Sequence, residues 1–127
     1  MRTQSRCLAM LCGLLLGLSP AAANEPSVLN VKVSANADGT YAFSVTIRHN
    51  DTGWDHYADK FEVLGPDGTV LGTRILYHPH ENEQPFTRSL GRVEVPIGIR
   101  EVTVRAHDKV HGDGNKRTFK VKLPPRK

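Results

Sequence analysis

The stretch YHPHENEQPF, residues 77–86, puts two imidazoles, two carboxylates, two amides and two prolines into ten residues. His78 and His80 are two apart. On an extended segment their rings emerge on one side, as two ligands of one metal ion must. The other four histidines, His49, His56, His107 and His111, lie in two more polar segments, HNDTGWDHYAD (49–59) and HDKVHGDGN (107–115). His107 or His111 is then a candidate third ligand. His49, His56 or a carboxylate of Asp55, Asp59 or Glu81 is a candidate fourth. Imidazole and carboxylate donors suit zinc or copper(II), whereas Cu(I), blue-copper and iron–sulfur sites need sulfur.

Sulfur is confined to Met1, Cys7, Met10 and Cys12. These fall in a leader-like segment: Arg2 and Arg6, an apolar run from Cys7 to Leu18, then Ser19-Pro20 and small residues, with a cut expected after Ala23. The run is shorter than the roughly 20 residues a membrane span needs, and Cys12 follows Leu11 rather than a small residue. The expected product is 24–127, one exported domain in the periplasm or outside the cell, with no stable membrane insertion and no disulfide. Without Arg2 and Arg6 it has 15 basic against 13 acidic residues, a net charge of +2. That balance gives no case for nucleic acid.

The elements that must position the histidines read as strands. TYAFSVTIRH sets Tyr41, Phe43, Val45 and Ile47 on one face. VLNVKVSAN does the same with Leu29, Val31 and Val33, REVTVRAH with Val102, Val104 and Ala106, and RTFKVKL with Phe119, Val121 and Leu123. KFEVL, TVLGTRILY and TRSLGRVEV lie between them, with turn chemistry at NADG, GPDG and HGDGN. About seven short strands without a three-turn helix predict an all-β fold, an antiparallel sandwich of the immunoglobulin or fibronectin type III kind. Consecutive antiparallel strands send their connections to alternate ends. All six histidines then fall at one end, in or beside the connections at 49–59, 78–85 and 107–115.

Each candidate also has a plainer reading. His49 continues the core-facing parity of Tyr41 to Ile47, which suits a hydrogen-bonded rim residue. His107 follows a solvent face, His111 sits in a turn, and His78-Pro79-His80 can be a rigid loop holding nothing. Trp54 and Tyr57 beside Asp55 suit a protein- or sugar-binding surface, or Trp54 caps the core. Phe86 plugs the core, and Arg88 is placed to pair with a nearby acid.

TGWDHYAD, HPHENEQPFTRSL and AHDKVHG together resemble an uncharacterised family of small exported bacterial proteins. The likeness spans most of residues 24–127 and implies a compact β-sandwich, but no catalytic residue. HPHE also has a faint four-residue similarity to the His-x-His segment of copper–zinc superoxide dismutases, without counterparts of their bridging histidine or cysteine pair. No nucleophile motif surrounds Ser89 or Thr87, and nothing marks Glu81 and Glu83 as an acid–base pair. The expected function is divalent metal binding for carriage, sensing or buffering, through His49, His56, His78, His80, His107 and His111, rather than catalysis. The alternative is a metal-free interaction module for an envelope or extracellular protein or a sugar, using Trp54, Asp55, Tyr57, Glu81 and Arg88. Clustered imidazoles would also repel once protonated near pH 6, a third possible role.

Overall fold

The computed structural model describes residues 25–113 and 117–127. The leader and its expected cut therefore lie outside the described residues, as does part of the HGDGN turn. The strands are β1 (Ser27–Ala35), β2 (Tyr41–Arg48), β3 (Ala58–Leu64), β4 (Val70–Ile75), β5 (Phe86–Val93), β6 (Glu101–Asp108), β7 (Gly112–Asp113) and β8 (Phe119–Lys122). One antiparallel sheet has the order β1-β2-β5. The other runs β4-β3-β6-β7, with β8 also pairing β6. No described residue is helical, and no helix there is long and apolar enough to cross a membrane. All-β holds.

Alternation builds the core. Tyr41, Phe43, Val45 and Ile47 of β2 are buried, and so are Val102, Val104 and Ala106 of β6. Phe61 and Val63 join them from β3 and Phe86 and Val93 from β5, so the two sheets share one apolar interior. Both tight turns use the same device: Asp38 and Asp67 each accept the N–H of the threonine two residues on, at 3.0 Å. The glycines between, Gly39 and Gly68, take φ of 87° and 84°, where a side chain would be strained.

Three expectations change. Leu29 does not share the buried face of Val31, because the β1–β2 register shifts between Val28 and Asn30. That bulge turns Leu29 outward and Val28 inward. TVLGTRILY yields the shorter strand β4, whose Val70 and Ile75 are exposed. Leu71 packs against the core, and at Gly72 an added Cβ would come within 3.2 Å of the Leu90 and Val93 side chains of β5, so these fill the space that a β4 side chain would take. An eighth strand appears because Gly112–Asp113 folds back on His107 and Asp108.

The registers bring the polar segments to one end. Ile47 pairs with Phe86 where β2 stops and β5 starts, and Ala58 pairs with Asp108 where β3 starts and β6 stops. The connections 49–57, 76–85 and 109–111 therefore leave the same edge of the molecule. The core under them is the test of this packing. Phe61→Ala is expected to cost about 3–5 kcal/mol in urea unfolding, while Leu29→Ala on the bulge costs about 1 kcal/mol or less.

Candidate metal centre

The inward parity of two strands runs past their ends into polar residues. After Ile47 the next inward positions are His49 and Asp51, and after Ala106 the next is Asp108. His49 is 2% exposed, Asp51 5% and Asp108 0%. Charged groups this deep must be paired, and they are.

Asp108 is the hub. Its Oδ2 lies 3.0 Å from His49 Nε2, 3.2 Å from His56 Nε2 and 3.0 Å from His111 Nδ1. Its Oδ1 accepts the backbone N–H of Val110 at 2.8 Å and that of His111, so the turn after β6 fixes which oxygen faces the imidazoles. One ligand atom each from His49, His56 and Asp108 lie within 4.8 Å of one another, and these are the only three metal-ligating groups so placed among the described residues. The His49 and Asp108 side chains are fully covered, while those of His56 and His111 are 18% and 17% exposed. Solvent reaches the cluster from that side.

Behind His49 stands a second carboxylate. Asp51 Oδ1 bonds His49 Nδ1 and accepts the Ala58 N–H at 3.1 Å, while Oδ2 accepts the His80 N–H at 2.7 Å. Gln84 closes the frame, taking the His49 N–H on Oε1 at 3.0 Å and giving Nε2–H to the His80 carbonyl at 2.9 Å. Asp51 thus fixes the orientation of the His49 ring and leaves Nε2 facing Asp108.

The charges follow from this geometry. Burial pushes Asp108 up, but hydrogen bonds from His111, His56 and Val110 outweigh it and hold the carboxyl at about 2. Burial likewise opposes ionisation of Asp51, and bonds from His49, His80 and Ala58 bring it below the usual carboxylate value. Burial lowers His49, yet the bond and charge of Asp51, then of Asp108, leave it raised. Burial, with Arg88 and His78 adding, lowers His80.

The structure brings His49, His56 and His111 together and links His80 to them through Asp51. His78 is exposed, its ring 4.7 Å from that of His80. His107 stands apart: on the outer face of β6 its Nδ1 meets Asp59 Oδ1 at 2.6 Å. Asp55 and Glu81 are exposed, and Arg88 pairs with Glu83 at 2.8 Å. The expected exposed Trp–Tyr pair is corrected. Trp54 is 63% exposed, but Tyr57 is 6% exposed and buries its ring edge-to-face against it. Sequence reasoning missed Asp51 and Asp108, although strand parity carried one step further reaches both.

Over 90 residues, 71% of this chain, the sequence is 43% identical to a Halomicrobium mukohataei protein named "Putative lipoprotein". The chain spans 44% of that relative's length. No family model matches the sequence, and no solved structure matches it.

Folding lowers Asp108 from 3.8 to about 2. The folded form therefore binds fewer protons than the unfolded chain in that interval, and the stability this gives is lost as pH falls through it. Folding raises His49 above 6.5, so its contribution is whole below 6.5 and fades as pH rises through the raised value. On these two groups the metal-free protein is thus expected to be most stable between about pH 4 and about 6.5, read as urea midpoints in a chelator. Asp51→Ala leaves His49 partly unpaired and is expected to cost about 3–5 kcal/mol in that window.

Proposed function

We propose that this is an exported β-sandwich protein that binds a divalent transition metal, zinc or copper(II), through His49, His56, His111 and Asp108. One observation carries the reading: three imidazole nitrogens converge at 3.0–3.2 Å on one oxygen of a buried carboxylate. Ligands about 2.0–2.1 Å from a tetrahedral ion stand about 3.3 Å from each other. The three spacings to Asp108 Oδ2 are close to that edge length; ligand atoms of His49, His56 and Asp108 already lie within 4.8 Å of one another, and His111 would join them by an inward shift. Asp51 behind His49 is the carboxylate–histidine arrangement that orients ligands and raises their basicity at metal sites. All the chain's sulfur lies within its first 12 residues, and this donor set is wholly imidazole and carboxylate, which favours zinc or copper(II) over Cu(I).

The role that fits is metal carriage, sensing or buffering, because the His56 and His111 side stays open for exchange. The relative's printed name supports an address in or beyond the cell envelope, periplasmic or secreted. The strand order β1-β2-β5 against β4-β3-β6-β8 supports the immunoglobulin or fibronectin type III kind of sandwich, with β4 paired to β3 rather than to β5. A single domain from residue 24 onward agrees with the one shared core. The second reading, a metal-free docking module for an envelope protein or sugar, is favoured by Trp54, Tyr77 and Val110. These are 63%, 76% and 59% exposed.

Calorimetric titration with Zn²⁺ and with Cu²⁺ tests the metal reading. A submicromolar site is expected at pH 7, weakened at least about ten-fold by pH 5.5 as protons compete with the metal for its ligands. The His56→Ala/His111→Ala protein should lose at least about 100-fold in affinity at that site while unfolding near the wild-type midpoint. Metal at about 100 times Kd should stabilise the wild type by about 2.7 kcal/mol. Absence of any such site, with a partner or sugar captured through Trp54, would establish the docking reading instead.

A further inference from the structure

We infer that His78 and His80 form a second, outer site for a divalent transition metal, backed by the same Asp51 that orients His49. His80 is 6% exposed, and both of its ring nitrogens are buried without a hydrogen-bond partner. A buried imidazole left this way is costly, so its position implies a partner. The ring is also held in place. It stacks on Phe86 at 4.1 Å and 10°, its N–H is bound to Asp51 and its carbonyl to Gln84.

The surroundings select the kind of partner. His80 Nδ1 lies 3.9 Å from Asp51 Oδ2. The carboxylate therefore favours the proton on Nδ1 and leaves Nε2 with its lone pair free. That is the state of a ligating histidine whose other nitrogen faces a carboxylate. The exposed His78 ring is 4.7 Å away across Pro79, and its Nδ1 is near only the Pro79 carbonyl, at 3.2 Å. A cavity of about 550 Å³ opens beside the pair, lined also by Trp54, Glu81, Glu83 and Arg88. Glu83 is tied to Arg88, so Glu81 is the carboxylate free to complete the set. Three of the four inner ligands, His49, His56 and Asp108, already lie within 4.8 Å of one another, whereas the outer set closes by rotation of the exposed His78 and Glu81 side chains. The outer site is accordingly the weaker and faster of the two.

This inference does not depend on the inner site. The untagged full chain, carrying Cys7→Ser and Cys12→Ser to remove competing thiols, is dialysed against CuCl₂ or ZnCl₂ alone. Metal per chain is measured, with Cu²⁺ quenching of Trp54, the sole tryptophan, as a second readout. Two equivalents are expected in this background, one of them lost in His78→Ala along with most of the quenching. His107→Ala, a surface control, should retain both. His56→Ala/His111→Ala should keep the equivalent that His78→Ala loses, and if that variant does not fold, His78→Ala against His107→Ala decides alone. A single equivalent that His78→Ala leaves intact overturns the outer site. So does a second one lost equally in His107→Ala. A single equivalent lost only in His78→Ala upholds the outer site and removes the inner one.

Discussion

The Asp51 carboxylate is the interaction on which this end of the molecule depends. It lies three residues beyond the end of β2, almost fully buried, and reaches three parts of the chain. Oδ1 meets His49 of its own connection and the Ala58 N–H at the start of β3; Oδ2 meets the His80 N–H in the 76–85 connection. An ionised group in that position is tolerable only when its lone pairs are filled. Filling them forces the two connections to adopt one mutual arrangement. Asp108 plays the same part for β6 and the turn after it. The histidine cluster is thus held by two buried carboxylates at the margin of the apolar core, rather than by the loops' own preferences.

Much of the fold was legible because alternation is a local property. Tyr41 to Ile47 and Val102 to Ala106 announce their buried faces with no knowledge of partners. Leu29 did not follow, because a bulge depends on how β1 registers with β2, which is not written in β1 alone. β4 was poorly legible because its packing is split between a half-buried Leu71 and the adjacent Gly72, while Val70 and Ile75 are exposed, so no alternation marks an inner face. β7 is two residues of turn sequence that become a strand only by lying against β6.

The site was half legible. That the histidines lie at one end followed from strand count. Which of them meet did not, since it depends on the direction of each ring. His107 is four residues from His111, yet it belongs to the outer face of β6 and faces Asp59. Asp51 and Asp108 escaped notice because acids in polar segments look like solvated loop residues. Their burial was nonetheless implied by parity, two steps on from an inward His49 and Ala106. Tyr57 failed for the opposite reason, as an aromatic in a polar segment that turns back under Trp54.

The unequal covering of the cluster bears on time rather than strength. His49 and Asp108 are sealed by the core, whereas His56 and His111 sit on the connections and meet solvent. An ion seated among them would leave by a fixed order of steps, shedding the two rim imidazoles first and the sealed pair last. Its residence would then be set by how often the 109–111 turn and the 49–57 connection open, a local fluctuation that leaves the sheets intact. The residence of such an ion and the stability of the fold would then vary independently.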